Sequence, residues 1–213
     1  MLHGEKIKTG LEKVKYGFYV MTHPFDGFWG IRREEKGSVA VAIAFVLLTI
    51  LTLTIEKQST GFLFNQNRLS DLNVLVDIIT VALVYVLWCV ANWCTTSLME
   101  GKGRMQDILT AVGYSLLPII IIRLPMVLMS HAITTNEGSF YYVLGTISYL
   151  WAGFLIFTGT MVIHQYSVGK TVTTCIITIV GMGIIMFIGL LFFNVIQQMM
   201  TFATTIYKEL RFR

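Results

Sequence analysis

Charge is scarce in this sequence: Asp, Glu, Lys and Arg make up 13% of its 213 residues while 55% are apolar, against about 25% charged in soluble domains. That imbalance excludes a disordered or collagen-like chain and argues against a soluble enzyme. Cysteine is nearly absent as well. Cys89, Cys94 and Cys175 sit inside apolar segments without CxxC spacing or a nearby histidine pair, so neither a disulfide framework nor a zinc site is indicated. His3, His23, His131 and His164 have no partner three or four residues away, and no set of residues offers a nucleophile with a base. The reading is therefore non-enzymatic, with no metal and no cofactor. Lys and Arg outnumber Asp and Glu by 16 − 12 = 4, an excess expected in cytoplasmic loops rather than in a nucleic-acid surface.

What is present is long apolar runs. Crossing a hydrocarbon core of roughly 30 Å takes about 20 residues of helix, and five segments qualify: 38–55, 73–99, 108–133, 140–163 and 171–199. Strand-like alternation is missing, so the expected fold is all-α, a polytopic bundle of five transmembrane helices. Residues 1–37 are expected as a cytoplasmic segment and 200–213 as a basic tail. Met1–Lys15 precedes any long apolar stretch, and no cleavable leader or lipid-anchor box is expected there or at Arg211-Phe212-Arg213.

Orientation follows from the basic residues. With a cytoplasmic N-terminus and five crossings, seven N-terminal cations with Lys102, Arg104 and Lys170 stand on one side. Lys57, Arg68, Lys208, Arg211 and Arg213 stand on the other, ten against five. Counting only residues near a span gives six against five. A re-entrant 108–133 segment, which contains Pro118 and Pro125, would give eight against three, so the residues alone leave both topologies open.

Leu11, Val14, Phe18 and Met21 follow helical spacing among Lys6, Lys8, Lys13 and Lys15. This suits a helix lying on an anionic membrane surface, with a solubilising lead-in as the plainer alternative. A helix-breaking turn at His23-Pro24-Phe25-Asp26-Gly27 follows, and Trp29 suits the interface. Glu100-Gly101-Lys102-Gly103-Arg104 lacks Walker spacing and a preceding strand. It reads as a tight turn, with headgroup binding as the alternative.

Two ionisable residues fall inside the runs, where a charge costs at least about 2.5 kcal/mol. Asp77 lies roughly 6 Å and Arg123 roughly 8 Å from the same face, so an Asp77–Arg123 pair is expected, with separate snorkelling or a transport role as alternatives. Pro118 and Pro125 remove backbone hydrogen bonds and should kink the third span. Gly145, Gly153, Gly181, Gly183 and Gly189 are expected helix-packing positions. Thr173, Thr174 and Thr178 are expected to bond their own backbone.

Gly113-Tyr114-Ser115-Leu116-Leu117-Pro118, with Asn92, the Gly101-Lys102-Gly103 turn and the His23-Pro24-Phe25 lead-in, resembles the bacterial branch of the Yip family, the Ypt/Rab-interacting integral membrane proteins. The motif residues are Gly113, Tyr114 and Pro118. The resemblance spans roughly Pro24 to Met199 and implies five membrane helices with a cytoplasmic N-terminus. Eukaryotic relatives are non-enzymatic adaptors that bind prenylated Rab GTPases and one another, and this chain lacks their long polar N-terminal region. Bacterial members resemble accessory membrane proteins, some encoded beside sugar ABC transporter genes. The resemblance carries no catalytic or ligand-binding residue onto this chain. The expected function is a non-catalytic adaptor or accessory subunit in the bacterial plasma membrane, touching lipid and packing on an ABC-type permease, another membrane protein or a second copy. A small transporter or channel using Asp77 and Arg123, or a membrane-shaping protein acting through residues 11–21, are the rival readings.

Overall fold

A computed structural model describes residues 2–65, 73–134 and 137–211, with side chains from residue 10 onward. Arg68, Arg213 and the side chains of Lys6 and Lys8 lie outside the described residues. Every described element is helical: α1 (Leu2–Thr22), α2 (Pro24–Arg33), α3 (Val39–Ser59), α4 (Val74–Leu98), α5 (Met105–Ser115), α6 (Leu117–Met129), α7 (Gly138–His164) and α8 (Val168–Arg211). Five units are long and apolar enough to cross a membrane, namely α3, α4, α5 with α6, α7 and α8. The chain is a multi-pass membrane protein.

Local chemistry sets the ends of these helices. The Asn73 side chain accepts from the backbone N–H of Leu75 at 3.1 Å and so opens α4. The Asp107 carboxylate accepts from the Arg104 N–H at 3.0 Å at the start of α5. Pro118 has no N–H to give the Tyr114 carbonyl, and the helix breaks there. Leu116 has φ −81° and ψ −11°, and the Ile119 N–H reaches back to the Leu116 carbonyl at 3.0 Å. Pro125 lies within α6, which remains continuous.

α5 is the hub. Asp107, Ile108 and every residue from Thr110 to Ser115 are buried, and α3, α4, α7, α1 and α2 all pack on it. Gly113 permits a close approach of α5 to α3: a Cβ there would lie 2.6 Å from the Ala42 Cβ and 2.8 Å from its Cα. Tyr114 is fully buried, meets Phe45 edge-on at 5.2 Å and donates its hydroxyl to the Lys13 carbonyl at 3.0 Å.

That last bond joins α1 to the bundle, and the segment expected at 1–37 packs against the membrane helices. α1 and α2 form a helical hairpin in which Gly27 packs on Val20 and the Tyr16 hydroxyl donates to the Gly27 carbonyl at 3.1 Å. Burial pushes the Tyr16 phenol above its ordinary pKa. Val20, Phe28 and Ile31 enter one core cluster with Phe45, Tyr114, Leu117 and Leu155. Phe28 also seats against Gly159 of α7. Leu11, Val14, Phe18, Phe25 and Trp29 remain exposed, and Arg33 stacks over Trp29 at 5.1 Å. Lys13 is half-buried and Lys15 exposed.

The glycines expected to pack divide. Gly145 touches Met126 and Arg123, and Gly181 faces Ala91 at 3.7 Å. Gly153, Gly183 and Gly189 have nothing within 4 Å, because α8 leaves its neighbours early and that face of α7 points outward. Gly113→Ala should lower the midpoint of detergent unfolding by the equivalent of about 1–3 kcal/mol through overpacking. Gly153→Ala, measured in parallel, should leave it unchanged.

Candidate functional site

The spans place a cleft of about 770 Å3 at the side of the molecule remote from α2, the far side. α3 and α6 form its back, and α4 and α7 its flanks. α3 supplies Glu56 and Lys57 because its helix runs on through Ile55-Glu56-Lys57-Gln58 and stops only at Ser59, before Thr60-Gly61. Ending the first span at Ile55 therefore leaves out two functional side chains, and the absence of any breaker before Gly61 was the signal that could have found them.

Arg123, one turn and a half below the end of α6, donates Nη1 to Glu56 Oε1 in an ion pair. Its Nε donates to Ser148 Oγ at 3.2 Å and its Nη2 to the Gly145 carbonyl at 3.4 Å. The guanidinium also lies over the Tyr149 ring at 4.2 Å. Carboxylate, hydroxyl, carbonyl and ring together offset its desolvation, with only 11% of the Arg123 side chain and 15% of Glu56 exposed. Asp77 is held by Lys57 Nζ at 2.5 Å, and Lys57 is 44% exposed. The expected Asp77–Arg123 pair is thus replaced by two pairs, Arg123–Glu56 and Asp77–Lys57. Asp77 and Arg123 line one cleft, as their similar depths suggested, but each finds a counter-ion on α3, which lies between them.

At the opposite end the three chain reversals interlock. His164 is 1% exposed, accepts from the Gly103 N–H at 3.3 Å and stacks on Tyr166 at 5.4 Å. The Tyr166 hydroxyl donates to the Met99 carbonyl at 3.1 Å, and burial raises its pKa. Lys102 donates to Gln165 Oε1 at 3.1 Å, and Arg32 to the Lys102 carbonyl at 3.3 Å. The Gly101 N–H is bound to the Thr96 carbonyl at 2.7 Å. Both glycine N–H groups of the turn are therefore already engaged and cannot cradle an anion. A Cβ on Gly101 would lie 2.6 Å from His164 Nδ1, so the glycines serve close packing.

α8 is the third unusual surface. It is 44 residues long, and Thr171, Thr174 and Thr178 are its buried residues. Thr174 and Thr178 donate to carbonyls one turn back at 2.8 Å each, and Thr173 does so at 3.2 Å. Asn92 Nδ2 reaches Thr178 Oγ1 at 3.4 Å and ties α4 to α8. Beyond Gly181 the helix stands clear of the bundle. Its most apolar stretch is 6% buried, against 56% for α5 with α6. The expected span at 171–199 and tail at 200–213 are one continuous helix to Arg211. Asn194, Gln197, Gln198, Thr201, Thr204, Thr205 and Lys208 recur at three- and four-residue spacing, which puts a polar stripe along one side of an otherwise apolar rod.

Among the described residues no group of three or more His, Cys, Asp or Glu could hold a metal ion. A family model described as the Yip1 domain matches residues 18–200. No curated protein and no solved structure matches the chain.

Glu56→Gln or Arg123→Gln alone should destabilise the protein by about 3–5 kcal/mol, since each strands a buried charge. The double variant should lose less than the sum. The same cycle on Asp77 and Arg123 should give coupling within about 0.5 kcal/mol of zero, and strong coupling there would contradict the observed pairing.

Proposed function

The chain belongs to the Yip1 family of multi-pass membrane proteins, and from that premise we propose that it is a non-catalytic adaptor or accessory subunit that docks another integral membrane protein through α8. One observation carries this reading: in its most apolar 18-residue stretch the last helix has 6% of residues buried, against 22–56% in the other spans. Lipid alone is a poor cover for it. The uncharged stretch between Lys170 and Lys208 is about 55 Å of helix, and its last third carries the polar stripe from Asn194 to Thr205, whose groups lipid tails cannot hydrogen-bond.

The polar stripe from Asn194 to Thr205 supplies specificity. Carboxamides and hydroxyls both donate and accept, so a partner helix with similar groups is held by interhelical hydrogen bonds. The first partner to test is an ABC-type sugar transporter permease, to which the likeness to bacterial Yip proteins directs attention. The reading places α1, α2 and the 99–104 turn on the cytoplasmic side of a bacterial plasma membrane. It gives Lys13, Lys15 and Trp29 to the membrane surface, alongside the exposed Leu11-Val14-Phe18 stripe. A transporter using Asp77 and Arg123 is less well supported, because both charges are tied up in ion pairs. Membrane shaping by α1 is less well supported too, since Gly17 and Val20 anchor α1 in the bundle.

Purification from native membranes in a lipid-preserving polymer, followed by mass spectrometry, should recover a second membrane protein in stoichiometric amount. Replacing Gln197, Gln198 and Thr201 together by Leu, Leu and Val should release it while the unfolding midpoint stays within about 0.5 kcal/mol, as expected of surface positions. Recovery of the chain alone from the unmodified protein would overturn the adaptor reading.

A further inference from the structure

We infer that the far-side cleft is a binding site for one phospholipid with a zwitterionic, primary-amine headgroup, drawn from the adjoining leaflet. The proposal stands on how the cleft is graded along the membrane normal. Near the helix ends its walls carry Glu56, Lys57, Thr60, Asp77 and Tyr141. Counted along the helices, Leu53 lies about 9 Å and Val81 about 10 Å below those ends, and Leu150 about 18 Å. Arg123 lies at the depth of Leu53 and Val81 but is neutralised by Glu56, so the spare polar capacity sits in the upper cleft over a mainly apolar wall, which is the polarity of a lipid standing in its own leaflet. A volume near 770 Å3 accommodates a headgroup, glycerol and the start of one chain. α4 and α7 flank the cleft without packing extensively on one another, which leaves it open sideways to lipid.

The charges select the headgroup. Two cations and two carboxylates cancel, so the cleft has no net attraction for an anionic lipid. Each ion nevertheless keeps capacity to bind. The Lys57 ammonium has three donors and gives one to Asp77 Oδ1. Glu56 accepts from Arg123 through Oε1, and Asp77 from Lys57 through Oδ1, which leaves the second oxygen of each carboxylate to accept. A phosphate takes the remaining Lys57 donors, while a primary ammonium bridges the free oxygens of Asp77 and Glu56. A trimethylammonium head has no N–H for that bridge, and a glycerol head has no cation. Tyr141 and Tyr142 line the mouth at the level where aromatic side chains meet headgroups. This site is independent of α8, so it stands whether or not a partner is found there.

Native mass spectrometry of the purified full chain, titrated with phosphatidylethanolamine, phosphatidylcholine and phosphatidylglycerol of identical chains, tests the proposal. One equivalent of the ethanolamine lipid should bind ~5- to 10-fold more tightly than either competitor, the difference expected of one charge-assisted hydrogen bond. Soluble glycerophosphoethanolamine should not compete at matched concentration, because it lacks the chain that covers the aliphatic wall. Asp77→Asn should abolish the preference, Lys57→Gln should weaken all three lipids through their shared phosphate, and Leu150→Trp, at a 67% exposed position that folding tolerates, should weaken all three as well. Equal binding of the three lipids would overturn the proposal, as would an unchanged preference in Asp77→Asn or unchanged affinities in Lys57→Gln or Leu150→Trp. Competition by the soluble headgroup would reassign the cleft to a water-borne ligand and overturn the lipid assignment.

Discussion

The approach of α5 to α3 at Gly113, where the Ala42 backbone fills the space of a side chain, fixes the spacing on which the other contacts depend. Lipid tails are as apolar as leucine, so helices in a bilayer gain little from hiding apolar surface from one another. They gain from close contact and from hydrogen bonds, and both need short distances. Once α5 touches α3, Tyr114 is carried between Phe45 and the α1 backbone, and its hydroxyl meets the Lys13 carbonyl. Phe28 then fills the space between α5 and α7. A glycine and the tyrosine after it thereby turn an N-terminal hairpin into part of the core.

The two ends of the bundle handle polarity in different ways. On the side of α2 the donors and acceptors belong to chain reversals, and each reversal satisfies another: Gly103 with His164, Tyr166 with Met99, Arg32 with Lys102. Glu35, Glu100 and Gln165 all adopt positive φ on that side, so the backbone there holds three left-handed residues without glycine. At the far side the polar groups are charged side chains on regular helices, paired across a cleft. The Gly101 and Gly103 backbone N–H groups are consumed in holding the fold, whereas the paired side chains at the far side keep spare oxygens and N–H groups.

The five crossings were legible because their length is dictated by bilayer thickness, a constraint that acts on composition and needs no tertiary information. The break at Leu116 was legible from Pro118 for a similarly local reason. What failed was choosing partners. The counter-ion of Arg123 was missed because Glu56 and Lys57 end the apolar run, although nothing at 55–58 ends the helix. The Leu11-Val14-Phe18 stripe identified an apolar face of α1, yet the face that packs is Gly17 with Val20. In a membrane protein both faces meet apolar surroundings, so amphipathicity does not say which one turns inward. Glycine had the same ambiguity: Gly113 and Gly183 look alike in sequence, and only the first has a helix opposite it.

The length of α8 bears on the bilayer as an elastic sheet. The lipid beside α3, whose 21 residues span about 32 Å, is close to its relaxed thickness. Beside α8 the uncharged length is greater, and a helix that exceeds the bilayer accommodates by tilting, kinking or thickening the lipid around it, each ångström of mismatch costing a fraction of a kcal/mol. The strain is confined to one flank, so the molecule has a front and a back within the membrane plane. Deformed annuli lower their energy by merging. On the adaptor reading, a neighbour with a matching step in thickness would share that cost at the α8 flank.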